Sequence, residues 1–413
     1  MQDNLNLLKT NKSFGFLWAS QILSQLTVNG MNFLLLIRLF AETSSTMAVS
    51  MLWLSYSLPV IFLGPIASSL VDRTNKRQLL VITNLFQAIT VFFYALTFGN
   101  YTFLPFLVAM VYSTLNQFYL PAESASIPLI TKKEHFSNAN SLFLLTQQGA
   151  LVISAALATS LNHLLGFRVA LFICAGMLFL AFISTLQLPS LKLAPAKLPK
   201  VEESLEKFFL SIFDGVRFII ANKLIFYPIT LIIVMQIMLS IITVSLPQIT
   251  QEIMGLPATL AGLIIVPTVT GSLLGALFVP KLIKDVGRKI WIIKKALIVL
   301  SLAVLSLVFL PFIHYANLRL VIGSLLVFLV GGSYIGIVIP AQTFLQEQTP
   351  KAYFGRVFGN LWFLVTILTI IPLVTAGALA EIFSIRVVLL MLSIGTLTIC
   401  LWGKRTNWGG FVK

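Results

Sequence analysis

Residues 121–130 read PAESASIPLI, and residues 340–349 read PAQTFLQEQT. Both stretches open on Pro-Ala, 219 positions apart, and each stands at the end of a long apolar run. A second pair of markers keeps nearly the same interval: VDRTNKR at Val71–Arg77 and IKDVGRK at Ile283–Lys289 lie 212 positions apart. Two markers at nearly one offset indicate a duplicated unit. What is duplicated is a set of apolar segments, and that decides the fold.

Hydrophobic residues make up 58% of the 413 positions and charged residues 10%, against roughly 25% charged in soluble domains. A helix needs about 20 predominantly apolar residues to cross a hydrocarbon core about 30 Å thick. Twelve such stretches are found, centred near Thr27, Leu58, Thr90, Ala109, Leu151, Gly176, Gln236, Thr268, Val304, Leu329, Leu368 and Ile394. The expected fold is an all-α membrane protein with twelve transmembrane helices in two pseudosymmetric six-helix bundles. Internal Pro and Gly do not count against it, because bilayer helices tolerate breaks that neighbours or a cavity satisfy. The expected domains are residues 1–187, a linker over 188–222, and residues 223–413. In the linker, Leu205, Phe208, Phe209, Ile212, Val216 and Ile219 recur at helical spacing opposite Glu203, Glu206, Lys207, Asp214 and Arg217. That pattern predicts an amphipathic helix lying on the inner leaflet.

The net charge is +15, and its distribution explains it. With Met1–Lys12 placed in the cytoplasm, 24 of the 28 basic residues fall on that side, and only Arg38, Arg168, Arg319 and Arg386 fall outside. Basic loops are retained in the cytoplasm, so both termini are expected there, in a plasma (inner) membrane protein. No aromatic-interleaved basic groove is present, and no nucleic-acid partner is expected. The first apolar segment is too long, and lacks the cleavage motif, for a removable signal peptide. Cys174 and Cys400 fall inside spans and read as packing residues, while His135, His163 and His314 fall in or beside loops. No metal or cofactor is expected. A GxxxxGK[ST] loop is missing, which argues against ATP drive, and no grouping of carboxylates and histidines points to an enzyme.

The paired Pro-Ala segments extend to PAESASIPLITKKEHFSNANSL at Pro121–Leu142 and PAQTFLQEQTPKAYFGRVFGN at Pro340–Asn360. With these, the chain resembles the major facilitator superfamily, and more narrowly its twelve-helix drug and macrolide efflux branch. GPIASSLVDRTNKR at Gly64–Arg77 is similar to that superfamily's signature loop. Two departures stand out: Ser68 where the family usually has Gly, and Asn75 in place of the turn Gly, a residue that tolerates the left-handed conformation. In the second half only Gly287, Arg288 and Lys289 keep the pattern.

The resemblance implies a gating role for Asp72, Arg73, Lys76, Arg77, Arg288 and Lys289. Asp72 is expected to latch onto the N-terminus of the eleventh helix near Val357, where an anion is favoured; a plain solvated charge run is the alternative for the basic residues. Glu123 and Glu347 stand close to apolar helix ends. A carboxylate at membrane depth needs a partner or a proton, so they are candidates for proton coupling or for permanent salt bridges with the basic loops. Gln21, Gln25, Asn29 and Asn32 line one face of the first helix. Together with Asn116, Gln147, Gln236 and Trp362 they are the candidate walls of a substrate cavity; bonding between helices is the other use of such amides. No acid lies mid-span, which disfavours strongly cationic cargo. The expected function is export of an apolar or amphipathic small molecule by alternating access, driven by protons. The alternatives are lysophospholipid movement and a non-transporting receptor. Expected partners are the bilayer, a small lipophilic substrate and protons, with the chain acting as a monomer.

Overall fold

The computed structural model describes residues 10–97, 103–132, 135–191, 216–217, 219–286, 288–349 and 354–405. Twelve long helices run through them, with no strand among the described residues. In the first half they are α1 (Lys12–Thr43), α2 (Thr46–Arg73), α3 (Lys76–Thr97), α4 (Leu104–Ile130), α5 (Phe136–Leu165) and α6 (Phe167–Leu186). In the second they are α7 (Lys223–Val244), α8 (Ala261–Val286), α9 (Lys289–Phe309), α10 (Ala316–Gln348), α11 (Phe354–Ile382) and α12 (Ile385–Arg405). Every expected span centre falls inside its helix. Ten of the twelve are long and apolar enough to cross a membrane by length and composition. Of the other two, α4 is interrupted by polar residues such as Asn116 and Glu123, and α5 contributes a shorter apolar stretch, Gly149–Leu165. Most of the linker, including most of the amphipathic stretch, lies outside the described residues.

The chain divides into two compact units, residues 1–38 with 51–208, and residues 39–50 with 209–413. Within each, the third helix of the half packs on the fourth and the sixth: α3 on α4 and α6, α9 on α10 and α12. The helices pack with buried apolar side chains on one face and exposed Leu, Ile and Phe on the other, as lipid-facing rods require. In the first unit, Phe14, Leu17, Tyr119, Ala122, Phe143 and Leu191 form one buried cluster. Asn11 sets the start of α1 beside that cluster. Its Oδ1 accepts the Phe14 N–H at 3.0 Å, and its Nδ2 donates to the Ile130 carbonyl at the end of α4. One side chain thus caps one helix and terminates another.

The four arginines expected outside all bind protein. Arg168, second residue of α6, donates from Nε and Nη2 to the Ala95 and Leu96 carbonyls at the end of α3. Arg386, second residue of α12, stacks over Phe312 just past the end of α9, 5.6 Å from the ring centre. Arg319 donates to the Ile253 and Glu252 carbonyls, where α7 runs on through a π-helical turn at Ile249–Met254 to a left-handed Gly255. Arg38 lies over the Phe167 ring. Cations at helix C-termini and over aromatic faces are favoured by dipole and quadrupole alike. These residues fasten helix ends, which accounts for basic side chains on the sparsely charged side.

Candidate functional site

Near the middle of α2, the Tyr56 hydroxyl accepts from Asn116 Nδ2 of α4 at 3.4 Å and stands beside Asn32 of α1. Ser113 of α4 donates to the Tyr56 carbonyl at 2.6 Å. Asn32 and Tyr56 are half-buried. Three helices therefore converge on an uncharged cluster, Asn32–Tyr56–Asn116, that can donate and accept hydrogen bonds without presenting a charge. Tyr56 escaped the sequence reading because that reading followed amides. The signal was present in a lone tyrosine with its polar handle ten residues inside an apolar helix.

The rest of the α1 stripe divides by depth. Gln21 has no exposed surface and donates to the Phe143 carbonyl of α5 at 3.2 Å, which makes it a bond between helices rather than an open wall. Gln25 and Asn29 are half-buried, and Asn29 Nδ2 returns to the Gln25 carbonyl at 2.9 Å. Gln147 is exposed on α5 and Gln236 half-buried on α7. The Trp362 side chain lies outside the described residues.

At the basic end of the first unit, Asn75 does not take the left-handed conformation expected of it, since Ser44 and Ser384 are the non-glycine residues with positive φ. It acts instead as a cap and tie. Its Oδ1 accepts the N–H groups of Arg77 and Leu191, and its Nδ2 donates to Ser190. Arg77 reaches the Leu186 carbonyl at 2.7 Å. Lys76 is wholly buried, with Nζ on the Thr74 carbonyl, so it is no solvated charge. The turn after α2 is thereby fastened to the end of α6. The Asp72 and Arg73 side chains lie outside the described residues, which leaves the expected latch undescribed. In the second unit Arg288 is exposed at the start of α9, and Lys289 forms an ion pair with Glu347.

The two candidate acids are therefore unlike. Glu347 is about half exposed, 50% by area, and paired. Glu123 is 2% exposed, stands beside Tyr119 one turn earlier on α4, and leaves Oε1 without a partner. It is the buried acid among the described residues.

A further polar cavity of about 450 Å³ lies in the second unit, at the helix ends away from the basic loops. Ser44 and Ser384, both at positive φ, line it with Gln248, Glu252 and Glu381. Glu381 accepts from Ser45 Oγ and from the Met47 N–H at the start of α2. Gln248 bridges Thr46 and Glu252 at 2.6 and 2.7 Å. Nothing in the sequence pattern marked this cluster, because it is assembled from helix ends and turns far apart in the chain. Among the described residues no group of His, Cys, Asp and Glu is placed to hold a metal ion.

The sequence profile of the Major Facilitator Superfamily matches residues 17–371. The MFS-type transporter YfiS of Bacillus subtilis (strain 168) is 26% identical over 380 residues, covering 91% of this chain and 88% of the relative. The solved nucleoside transporter NupG superposes with a TM-score of 0.72 at 14% identity, covering 95% of this chain and 98% of that one. A bacterial homologue of the human lysosomal transporter Spinster, inward-facing and unoccupied, gives 0.71 at 12% identity, with 96% and 97% covered.

Proposed function

The chain belongs to the major facilitator superfamily and is an integral multi-pass membrane transporter, and on that premise we propose that it exports an apolar or amphipathic small molecule by proton-driven alternating access, in the manner of the drug and macrolide efflux branch. The observation that carries this reading is the pairing of an uncharged polar cluster, Asn32–Tyr56–Asn116, with one deeply buried carboxyl, Glu123. Amides and a hydroxyl orient a neutral ligand but offer a cation no countercharge. A buried carboxyl, by contrast, is stable in the low-dielectric interior only when partnered or protonated. Half-buried Gln25 and Asn29 belong to the same proposed cavity. Glu123 is the proposed proton carrier and Glu347 a surface ion-pair residue. Each proton moved through 100 mV supplies about 2.3 kcal/mol, enough to bias such a cycle. Both termini are proposed to lie in the cytoplasm of a plasma-membrane monomer, from the basic-residue asymmetry alone.

The test is a reconstituted vesicle with an imposed pH gradient, loaded with either a macrolide-like compound or a lysophospholipid. Gradient-driven flux of the first supports the proposal. Flux of the second alone moves the substrate class to lipids, and flux of either compound indifferent to the gradient removes the proton.

A further inference from the structure

The core of the first unit contains more hydrogen-bonding capacity than its own side chains use. Along a seam where α1, α3 and α4 meet, Asn84 Nδ2 donates to Ser20 Oγ at 3.1 Å, and Ser20 Oγ lies 3.3 Å from the Tyr119 hydroxyl. Tyr119 in turn stands beside Glu123, one turn on along its own helix. Ser20, Asn84 and Tyr119 have no exposed surface. One turn from Asn84 on α3 stands Gln87, equally buried, with neither its oxygen nor its nitrogen bonded to protein. Asn84 Oδ1, Gln21 Oε1 and Glu123 Oε1 are likewise without protein partners. The surplus has a sign: four orphaned oxygens, on Gln21, Asn84, Gln87 and Glu123, stand against one orphaned donor, the Gln87 amide nitrogen. Buried acceptors left unpaired are costly, and interiors hold such groups by donating to them from ordered water, which bonds about three partners at once.

We propose that this seam binds a file of ordered water molecules running from Glu123 past Tyr119 and Ser20 to Asn84 and Gln87, and that the file conducts the transported proton. The conduction half rests on the proposed role of Glu123; the binding of water does not. Tyr119 is the titratable group on α4 beside the carboxyl. From α1 and α3 the seam presents Ser20, Gln21, Asn84 and Gln87, all uncharged. Of the charged residues of the packed elements, Lys12, Lys76, Arg77 and His135 stand at helix starts, with Lys76 on the Thr74 carbonyl and Arg77 on the Leu186 carbonyl, while Arg38 and Glu42 stand at the far end of α1. No ion pair quenches the acid among the described residues. Counted at 1.5 Å per residue, Glu123 lies roughly 10 Å from the end of α4 and Gln87 roughly 16 Å from the start of α3, so the file leads from Glu123 toward mid-depth. A proton arriving on the terminal water forms the O–H bond of the Glu123 acid as the water's O–H bond breaks. It leaves by the reverse step, with no oxidation or reduction.

The test is X-ray hydroxyl-radical footprinting of the full chain in nanodiscs, which labels side chains beside bound water even where bulk solvent cannot reach. Tyr119, with no exposed surface, should be oxidised at a rate comparable to Tyr315, which is 78% exposed. In the Gln87→Leu variant, and again in Asn84→Leu with Gln87→Leu, Tyr119 labelling should fall by about fivefold or more while Tyr315 is unchanged, once waters lose their polar partners. The unchanged Tyr315 rate, with a monodisperse elution profile, identifies a folded variant. A Tyr119 that stays unlabelled in the parent protein overturns the file. Labelled Tyr119 together with gradient-driven transport that survives Glu123→Gln leaves the water in place and overturns its role as a proton path.

Discussion

The same crossing point is built in two ways in the two halves. In the first unit α4 meets α2 through hydrogen bonds, from Ser113 to the Tyr56 carbonyl and from Asn116 to the Tyr56 hydroxyl. In the second, α10 meets α8 through bare backbone: a Cβ on Gly331 would lie 1.8 Å from the Thr268 carbonyl oxygen, and one on Gly271 would lie 2.0 Å from that of Phe328. Thr268 stands 212 positions after Tyr56, while Gly331 and Gly332 stand 219 after Tyr112 and Ser113, the intervals of the two sequence markers. Duplicated helices have thus kept their crossing and exchanged its chemistry. Glycine lets helix backbones touch and gain dispersion energy, whereas Tyr, Ser and Asn keep them apart and join them by hydrogen bonds. At this crossing the first half is polar and the second is packed backbone to backbone.

The largest effect expected is on the packed crossing. Leucine at Gly331 must displace the Thr268 carbonyl, which no rotamer change relieves, so Gly331→Leu should exceed the roughly 1–3 kcal/mol of ordinary overpacking. The readout is the thermal midpoint and the monodisperse fraction after extraction. Ser113→Ala at the corresponding place in the first unit should cost only about 0.6 kcal/mol, one hydrogen bond between helices. Equal losses at the two sites would erase the contrast.

Next is the acid. The position matching Glu123, at 219 residues on, is Gln342, and the one matching Tyr119 is Val338. Glu123→Gln makes the two halves alike and should lower pH-gradient-driven flux by about tenfold or more, while exchange without a gradient continues, since a carboxyl at membrane depth is maintained at a cost of about 2.5 to 3.5 kcal/mol only where it serves the cycle. Adding Gln342→Glu should not restore the drive, because Val338 has no hydroxyl to bond the transplanted acid. Restoration would make the two positions interchangeable and remove the asymmetry.

Tyr56→Phe should have a smaller effect. It removes the hydroxyl that accepts from Asn116, a bond worth about 0.6 kcal/mol, so about a threefold rise in KM at nearly constant maximal flux is expected. A fall in maximal flux with KM unchanged would place Tyr56 in the moving parts rather than in the cavity.

The twelve helices were legible as span centres because the apolar runs, the basic turns and the Pro-Ala pairs are local signals. The duplication was legible too, at both intervals. What escaped the sequence depends on which side chain meets which carbonyl. The Gly271–Gly275 and Gly331–Gly332 contacts look like ordinary glycines in apolar runs until the helices cross. Asn75 read as a turn residue and proved to be a cap, because its usefulness lies in the Leu191 N–H, 116 positions away. Gln21 and Asn29 read as equals on one stripe, yet one is bonded to α5 and the other to its own helix. Periodicity gives the face of a helix and leaves open its neighbour.

The smallest effect is expected at Glu347, and it bears on whether the two acids differ in kind. Its partner Lys289 is the last basic residue of the second repeat loop, so the pair ties the end of α10 to the start of α9. Exposed as it is, the pair should contribute no more than about 1 kcal/mol, screened further by salt. Glu347→Gln should therefore lower the thermal midpoint slightly at low ionic strength and not at all in high salt, and it should leave gradient-driven flux intact. Were the substitution to remove the pH dependence of transport while Glu123→Gln did not, the proton would belong to the second half, and the division between a polar first half and a packed second half would be reversed for the chemistry that matters most.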